Sequence, residues 1–195
     1  GGALRGCPVL ARGLRGAAGP LGGGLPGLGA CKGVLQSGYH SQDVYGHTLL
    51  AVGLTPPDLV VRLAAVFHDV GKPATATPEG AFTGHEEVGA AMARTALIRL
   101  RFPQREIDAV VTLVRLHLRP VYYRSEWSDG AVRRLAREAG AQIERLMALA
   151  RADVGASSYP EPEKLDELAA RLAAVLTGLR TRWSPPIDGK AVLRA

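Results

Sequence analysis

The sequence predicts an all-α helical bundle, and three observations carry that expectation. From residue 41 onward apolar residues recur at steps of three and four between cap-like Ser, Asp and Pro signals. Strand-like alternation is almost absent, and 11 of the 24 glycines fall in residues 1–30, outside the periodic region. At 195 residues, 47% hydrophobic and 22% charged, the chain is long enough for one domain with a sizeable core.

The elements follow in order. Residues 1–30 keep no hydrophobic period, so an irregular leader is expected there. Ser41 to Asp43 cap a first helix carrying Val44, His47, Thr48 and Ala51. Pro56-Pro57-Asp58 begin a second, from Leu59 to Asp69, which Gly71 and Pro73 stop; "KPATATPEGAFTG" reads as a loop. A third helix covers about His85 to Leu100, and Pro103 opens a fourth that reaches Leu118. Ser128-Asp129 cap a fifth, ended by Gly140; a sixth runs from Ala141 to about Val154, and residues 161–182 form a long seventh. The packing of such helices on one another is a bundle.

Charge and cysteine usage narrow the function classes. The net charge of +6 is unevenly placed: Arg5, Arg12, Arg15 and Lys32 precede the first acidic residue, Asp43, so residues 1–42 carry +4. Residues 43–195 carry 20 basic against 18 acidic groups, and charge alone does not indicate a nucleic-acid surface. No apolar run approaches the ~20 residues of a membrane span, so no membrane partner is expected. Cys7 and Cys31 form no CxxC pair and neither resembles half of a zinc site, which suits a reducing, cytoplasmic setting. The Gly-Gly start without Met suggests a fragment or a processed chain; a transit peptide fits poorly, because residues 1–30 lack serine and are crowded with glycine.

Polar residues interrupt the apolar stripes at telling places. In "RLAAVFHDVGKPAT", His68 continues the face of Val61, Ala64 and Ala65, and Asp69 follows it. His117 continues Val110, Leu113 and Val114; Asp153 continues Ile143, Leu146, Leu149 and Ala150; His47 lies between Val44 and Ala51. A single histidine on an apolar face is ordinarily a hydrogen-bonded core residue, and a helix-terminal Asp is ordinarily solvated. Four helices that each aim such a group inward are more economically explained by one shared ligand. Imidazoles and carboxylates together suit a borderline to hard divalent ion.

The stretches "QSGYHSQDVYGHTLLAV", "RLAAVFHDVGKPAT", "FTGHEEVGAAMA", "LVRLHLRP" and "LARADVGAS" resemble, in that order, the HD domain of bacterial CCA-adding tRNA nucleotidyltransferases and related poly(A) polymerases, within the HD phosphohydrolase superfamily. The trailing "SPPIDGKAVLRA" is similar to the segment that follows this domain there, and the resemblance covers roughly residues 31–195. It implies a leader over 1–30, an HD metal-binding helical domain over 31–160, and a C-terminal helix with the start of a following segment over 161–195. It further implies a divalent metal ion (Mg, Mn, Ni, Co, Fe or Zn) held by His47, His68, Asp69 and Asp153. His85 and His117 match positions where relatives keep further histidines, and Lys72 matches a lysine near a substrate phosphate; His40 is left as a surface or supporting residue. The glycine-pair and Asp-x-Asp motifs of the nucleotidyltransferase head do not occur, and residues 1–42 contain no carboxylate, so no nucleotidyl transfer is expected from this chain alone.

The expected activity is metal-dependent phosphoester hydrolysis, on phosphate monoesters or 2′,3′-cyclic phosphates at an RNA end, with Asp69, Lys72, His85 and His117 as the catalytic set. The ion activates a water and Lys72 holds a non-bridging oxygen. His117 or His85 either protonates the leaving oxygen or binds a second ion. The alternative is a non-catalytic tRNA-binding module, in which Arg99, Arg101, Arg105, Arg133, Arg134 and Arg137 meet phosphates, against the ordinary expectation that they are solvated or paired with Glu106 and Glu138. A nucleotide-pool hydrolase acting on dNTPs or alarmones is a third option. Tyr122 and Tyr123 can stack bases, whereas Trp127 and Trp183 need no function beyond covering the bundle.

Overall fold

A computed structural model describes residues 27–36, 41–158 and 161–182, with side chains to residue 178. Among the described residues there is no strand, and nine α-helical stretches follow one another: α1 Val44–Leu54, α2 Leu59–Phe67, α3 Lys72–Thr75, α4 His85–Arg99, α5 Gln104–Leu116, α6 Leu118–Val121, α7 Asp129–Ala139, α8 Ile143–Gly155 and α9 Lys164–Arg182. The all-α expectation holds. Cys7, Tyr39, His40, Trp183 and the segment "SPPIDGKAVLRA" lie outside the described residues.

The starts are set by short polar side chains that take up backbone N–H groups left over at a helix N-terminus. Asp43 accepts from Gly46 N–H at 2.7 Å, Asp58 accepts from the N–H of Val60 and Val61 at 2.9 and 3.1 Å, and Ser128 accepts from Ala131 N–H at 3.3 Å. Two expected boundaries differ. The loop expected after Gly71 opens with the single turn α3, because Pro73 sits in a first turn where a missing N–H costs nothing. The fourth helix breaks at His117, since Pro120 has no N–H to offer the Leu116 carbonyl, and the chain continues as the single turn α6. Ahead of α8, residues 140–142 form a 3-10 turn.

Helix α2 occupies the middle of the bundle, packing against α1, α4, α5 and α8. Its Val61, Ala64, Ala65 and Phe67 are buried, and they meet buried Val110, Leu113 and Val114 of α5 and Leu146, Leu149 and Ala150 of α8 in one core. Small residues at 64 and 65 let neighbouring helices come close, so the polar end of α2 emerges where α1, α4, α5 and α8 all have an end or a face. A second close approach follows. A Cβ at Gly71 would overlap the His85 carbonyl oxygen and lie 2.8 Å from Gly89 N, so only glycine lets the chain after Asp69 pass against the start of α4. No helix among the described residues is long and apolar enough to cross a membrane.

Candidate metal centre

The end of α2 presents His68 and Asp69 into the middle of the bundle, and four other elements meet them there. His47 comes from α1, His85 from the first residue of α4, His117 from the junction of α5 and α6, and Asp153 from the last turn of α8. His47, His68, Asp69, His85 and His117 are all buried, and Asp153 is half-buried. Six of the seven sequence positions expected to carry the site are therefore brought together here, and the seventh, Lys72, adjoins them through Asp69.

The geometry divides them into two groups of three around the two oxygens of Asp69. His47, His68 and Asp153 offer ligand atoms within 4.8 Å of one another, and so do Asp69, His85 and His117. His47 Nε2 lies 2.9 Å from Asp153 Oδ1, and His68 Nε2 lies 3.6 Å from the same oxygen and 3.3 Å from Asp69 Oδ2. On the other side, His85 Nε2 and His117 Nε2 lie 3.3 and 3.8 Å from Asp69 Oδ1. Asp69 thus stands between the groups with one oxygen toward each.

Each imidazole is oriented by its other nitrogen. His68 Nδ1 is 2.8 Å from Ala65 O, His85 Nδ1 is 2.7 Å from Phe82 O, His117 Nδ1 is 2.6 Å from Val114 O, and His47 Nδ1 is 3.4 Å from Ala156 O. Carbonyls can only accept, so Nδ1 carries the proton in each ring and Nε2 is directed to the centre. For His68 and His117 the carbonyl belongs to the last turn of the preceding helix, where no intrahelical N–H remains to use it. Placing a histidine at a helix end therefore satisfies the helix and aims the ring together.

The donor set fits a divalent ion. His47 Nε2 and His68 Nε2 face each other at 3.3 Å, as do His85 Nε2 and His117 Nε2. Two ring nitrogens with lone pairs turned toward each other require an electrophile between them, either a proton or a cation, and the surrounding carboxylates favour positive charge. Burial opposes ionisation of Asp69 and Asp153, yet nearby His68, with Lys72 for Asp69 and His47 for Asp153, holds both carboxyls well below the usual carboxylate range. Burial likewise opposes a charge on His68, but Asp69 and Asp153 outweigh it and raise its pKa to about 10. Burial and the His68 charge push His117 down to about 4, leaving it a neutral imidazole near neutrality.

Lys72, also buried, donates to Asp69 Oδ2 at 2.7 Å and to Gln36 Oε1 at 2.5 Å, and sits 5.7 Å from the Phe82 ring centroid. The cluster opens on a cleft of about 580 Å³ whose lining includes Gln36, Lys72, His117, Asp153 and Tyr122. Tyr122 is exposed there. Tyr123 is instead buried edge-on against Trp127, with ring centroids 5.6 Å apart, so it is not a free stacking surface as the sequence had allowed. Gln36 and Glu86 line the same cleft and drew no notice in the sequence. Gln36 lies in a stretch without periodicity, and Glu86 reads as an ordinary acidic residue in a helix's first turn. The expected pairing of Glu138 also differs: it binds Arg119 at 2.9 Å, while Arg101, Arg105, Arg133, Arg134 and Arg137 form no ion pair among the described residues.

A helical bundle that gathers four histidines and two aspartates around one buried point defines a protein with a candidate divalent-metal site. The chain belongs to the HD domain family: the family model described as HD domain matches residues 38–157. It is 46% identical over 110 residues to the CC-adding tRNA nucleotidyltransferase of Thermus thermophilus, covering 51% of this chain and 25% of that protein. It is 32% identical over 184 residues to the A-adding tRNA nucleotidyltransferase of Deinococcus radiodurans, covering 87% of this chain and 42% of that protein. A multifunctional CCA protein of Halorhodospira halophila is 38% identical over 109 residues, covering 52% of this chain and 26% of its own. The chain spans less than half the length of these curated relatives.

Proposed function

We propose that this chain is a metal-dependent phosphohydrolase domain of a tRNA nucleotidyltransferase-like protein, cleaving phosphate monoesters or 2′,3′-cyclic phosphates. The observation that carries the reading is the position of Asp69, whose Oδ2 faces His47 and His68 at 3.8 and 3.3 Å and whose Oδ1 faces His85 and His117 at 3.3 and 3.8 Å. His47, His68 and Asp153 would hold one divalent ion, and Asp69, His85 and His117 would hold another. A divalent ion in such a site supplies Lewis acidity, activating water and offsetting phosphoryl charge.

The chain's own groups divide the remaining work. Lys72 holds a non-bridging phosphoryl oxygen, because its ammonium is next to Asp69 on the cleft wall and has a third N–H beyond those given to Asp69 and Gln36. His85 and His117 act as ligands rather than as proton donors: both Nε2 atoms are directed at Asp69 Oδ1, and a neutral His117 has no spare proton to give. The walls of the cleft shield the reacting phosphorus from bulk water while the open side admits the ester. The similarity to tRNA nucleotidyltransferases supports an RNA-derived substrate.

The test is direct. Protein purified with and without chelator is assayed for metal content, then offered a panel of phosphomonoesters and 2′,3′-cyclic phosphates. Two ions per chain and chelator-sensitive hydrolysis are expected; absence of both removes the reading. The tRNA-binding reading is supported by the unpaired, exposed Arg101, Arg105, Arg133, Arg134 and Arg137. Its check is the salt dependence of tRNA binding, where log affinity should fall with log salt by roughly 0.7 to 0.9 for each phosphate contact.

A further inference from the structure

We propose that Gln36 is a phosphate-binding residue of the cleft, its side-chain amide donating to a phosphoryl oxygen beside Lys72; this rests on the phosphoester reading above. Nothing in the sequence marks Gln36 out, since it precedes α1 in a stretch without helical period.

Residues 27–34 are nonetheless tied down at several points. Residues 29–31 form a 3-10 turn whose Leu28 and Cys31 are buried in the core, and the Cys31 thiol donates to Gly27 O at 3.3 Å. Gly33 N–H donates to Asp43 Oδ2 at 2.7 Å, the carboxylate whose other oxygen caps α1, and Val44 N–H donates to Val34 O at 3.0 Å. The backbone two residues before Gln36 is thereby tied to the start of the helix that carries His47. A side chain on a support of this kind is placed, not trailing.

The orientation of the Gln36 amide follows from its partner. The Lys72 ammonium has only donors, so the oxygen of the Gln36 side chain must be the end that meets it. The NH2 group is then the end left over, and this buried nitrogen has no acceptor among the described residues. Buried donors in folded proteins are almost always satisfied, so one left open on a residue that lines the cleft points to an acceptor that arrives with a ligand. No carboxylate among the described residues accepts from this nitrogen. A phosphoryl group fits: it brings several acceptor oxygens, and it would receive one N–H from Lys72 and one from Gln36, a cation and a neutral donor linked to each other by the 2.5 Å bond.

The experiment is a calorimetric titration of inorganic phosphate into the full chain incubated with divalent metal, comparing wild type, Gln36→Glu and Gln36→Met, with metal content and unfolding temperature measured on the same samples. Gln36→Glu keeps the shape and the acceptor for Lys72 but removes the donor; Gln36→Met removes both. Phosphate affinity roughly ten- to a hundred-fold weaker in both variants, at unchanged metal content and unfolding temperature, is the expected result. Retained affinity in Gln36→Glu with loss only in Gln36→Met would mean that Gln36 merely props Lys72, and overturns the proposal. So does a wild type that binds no phosphate. Should Gln36→Met fail to fold, Gln36→Leu takes its place, because the carboxylate of Gln36→Glu repels phosphate by itself and its loss of affinity counts only beside that of an uncharged variant. A wild type that takes up no metal removes the hydrolase reading instead, and the phosphate comparison on those same samples still judges Gln36.

Discussion

Around Arg171 on α9, each charged group meets its complement within the protein. Its guanidinium donates to Asp129 Oδ1 at 2.9 Å, Trp127 O at 2.6 Å and the Tyr123 hydroxyl at 3.1 Å, while Glu167 accepts from Tyr123 and Ser125 at 2.6 and 2.7 Å. Around Asp69 the pattern is the reverse: one buried and one half-buried carboxylate and four inward-facing imidazoles are answered by one lysine and one histidine proton. The first network closes on itself and fastens α9 to α7 and to the segment between α6 and α7. The second balances its two carboxylates with the Lys72 ammonium and the His68 proton, but leaves inward ring nitrogens facing only one another and those same carboxylates. A complete network is structural, and an incomplete one is built for something that comes from outside.

The largest break of that contrast is Asp69→Ala. It removes the one group shared by both histidine sets, so hydrolysis should fall to background and metal content should drop, while far-UV circular dichroism keeps its helical form. Arg171→Ala, the matching cut in the closed network, should leave metal content unchanged while lowering the denaturant midpoint.

Gly71→Ala is the next in size. Its Cβ has no room against the His85 carbonyl and Gly89 N, so stability should fall by about 1–3 kcal/mol and the ion next to His85 and His117 should be held more weakly. Gly178→Ala on α9 meets nothing within 4 Å and should raise helix stability by roughly 0.5–1 kcal/mol, with metal content untouched. Thermal unfolding and metal analysis of the two variants separate these outcomes.

The pH dependence sharpens the comparison further. In chelator-treated protein, His68, raised from 6.5 to about 10, stabilises the fold fully below 6.5, and that stabilisation is lost as pH rises through about 10. Asp69 and Asp153, lowered from 3.8, stabilise it above 3.8 and lose that contribution as pH falls further. His117, lowered from 6.5 to about 4, is protonated only in the unfolded chain between those values and so costs stability as pH falls below 6.5. The unfolding temperature of chelated protein should therefore be highest near pH 6.5, declining toward pH 4 and toward pH 10. Metal displaces the His68 proton, so loading should flatten the alkaline decline and release acid in unbuffered solution. Tyr123→Phe, which removes one hydrogen bond of the closed network, should cost about 1 kcal/mol of stability with no change in metal content.

Much of the site was legible because a helix has a fixed period. His47, His68, His117 and Asp153 interrupt apolar stripes at steps of three and four, and that spacing alone assigns them to the buried side. The caps at Asp43, Asp58 and Ser128 were equally readable, being short-range chemistry between a side chain and backbone three residues on. Gln36 was not legible, because its role depends on Lys72, 36 residues away in sequence, and on a turn with no period. Glu86 on the cleft wall and the burial of Tyr123 under Trp127 were hidden for the same reason; the stop at Gly71 and Pro73 was readable, but the single turns α3 and α6 around Pro73 and Pro120 were not.

The sequence by itself determined that this chain forms helices, where most of them begin, and which polar residues each one turns inward. Those are properties of a few neighbouring residues, set by backbone geometry and burial. Only the tertiary structure decided that Asp69 faces two histidine pairs with different oxygens, that four last-turn or loop carbonyls fix the imidazoles, and that the strap before α1 delivers an open amide to the cleft. Those depend on how rods of the bundle cross, and a crossing is set by contacts among residues far apart along the chain, such as the bare backbone of Gly71 against His85.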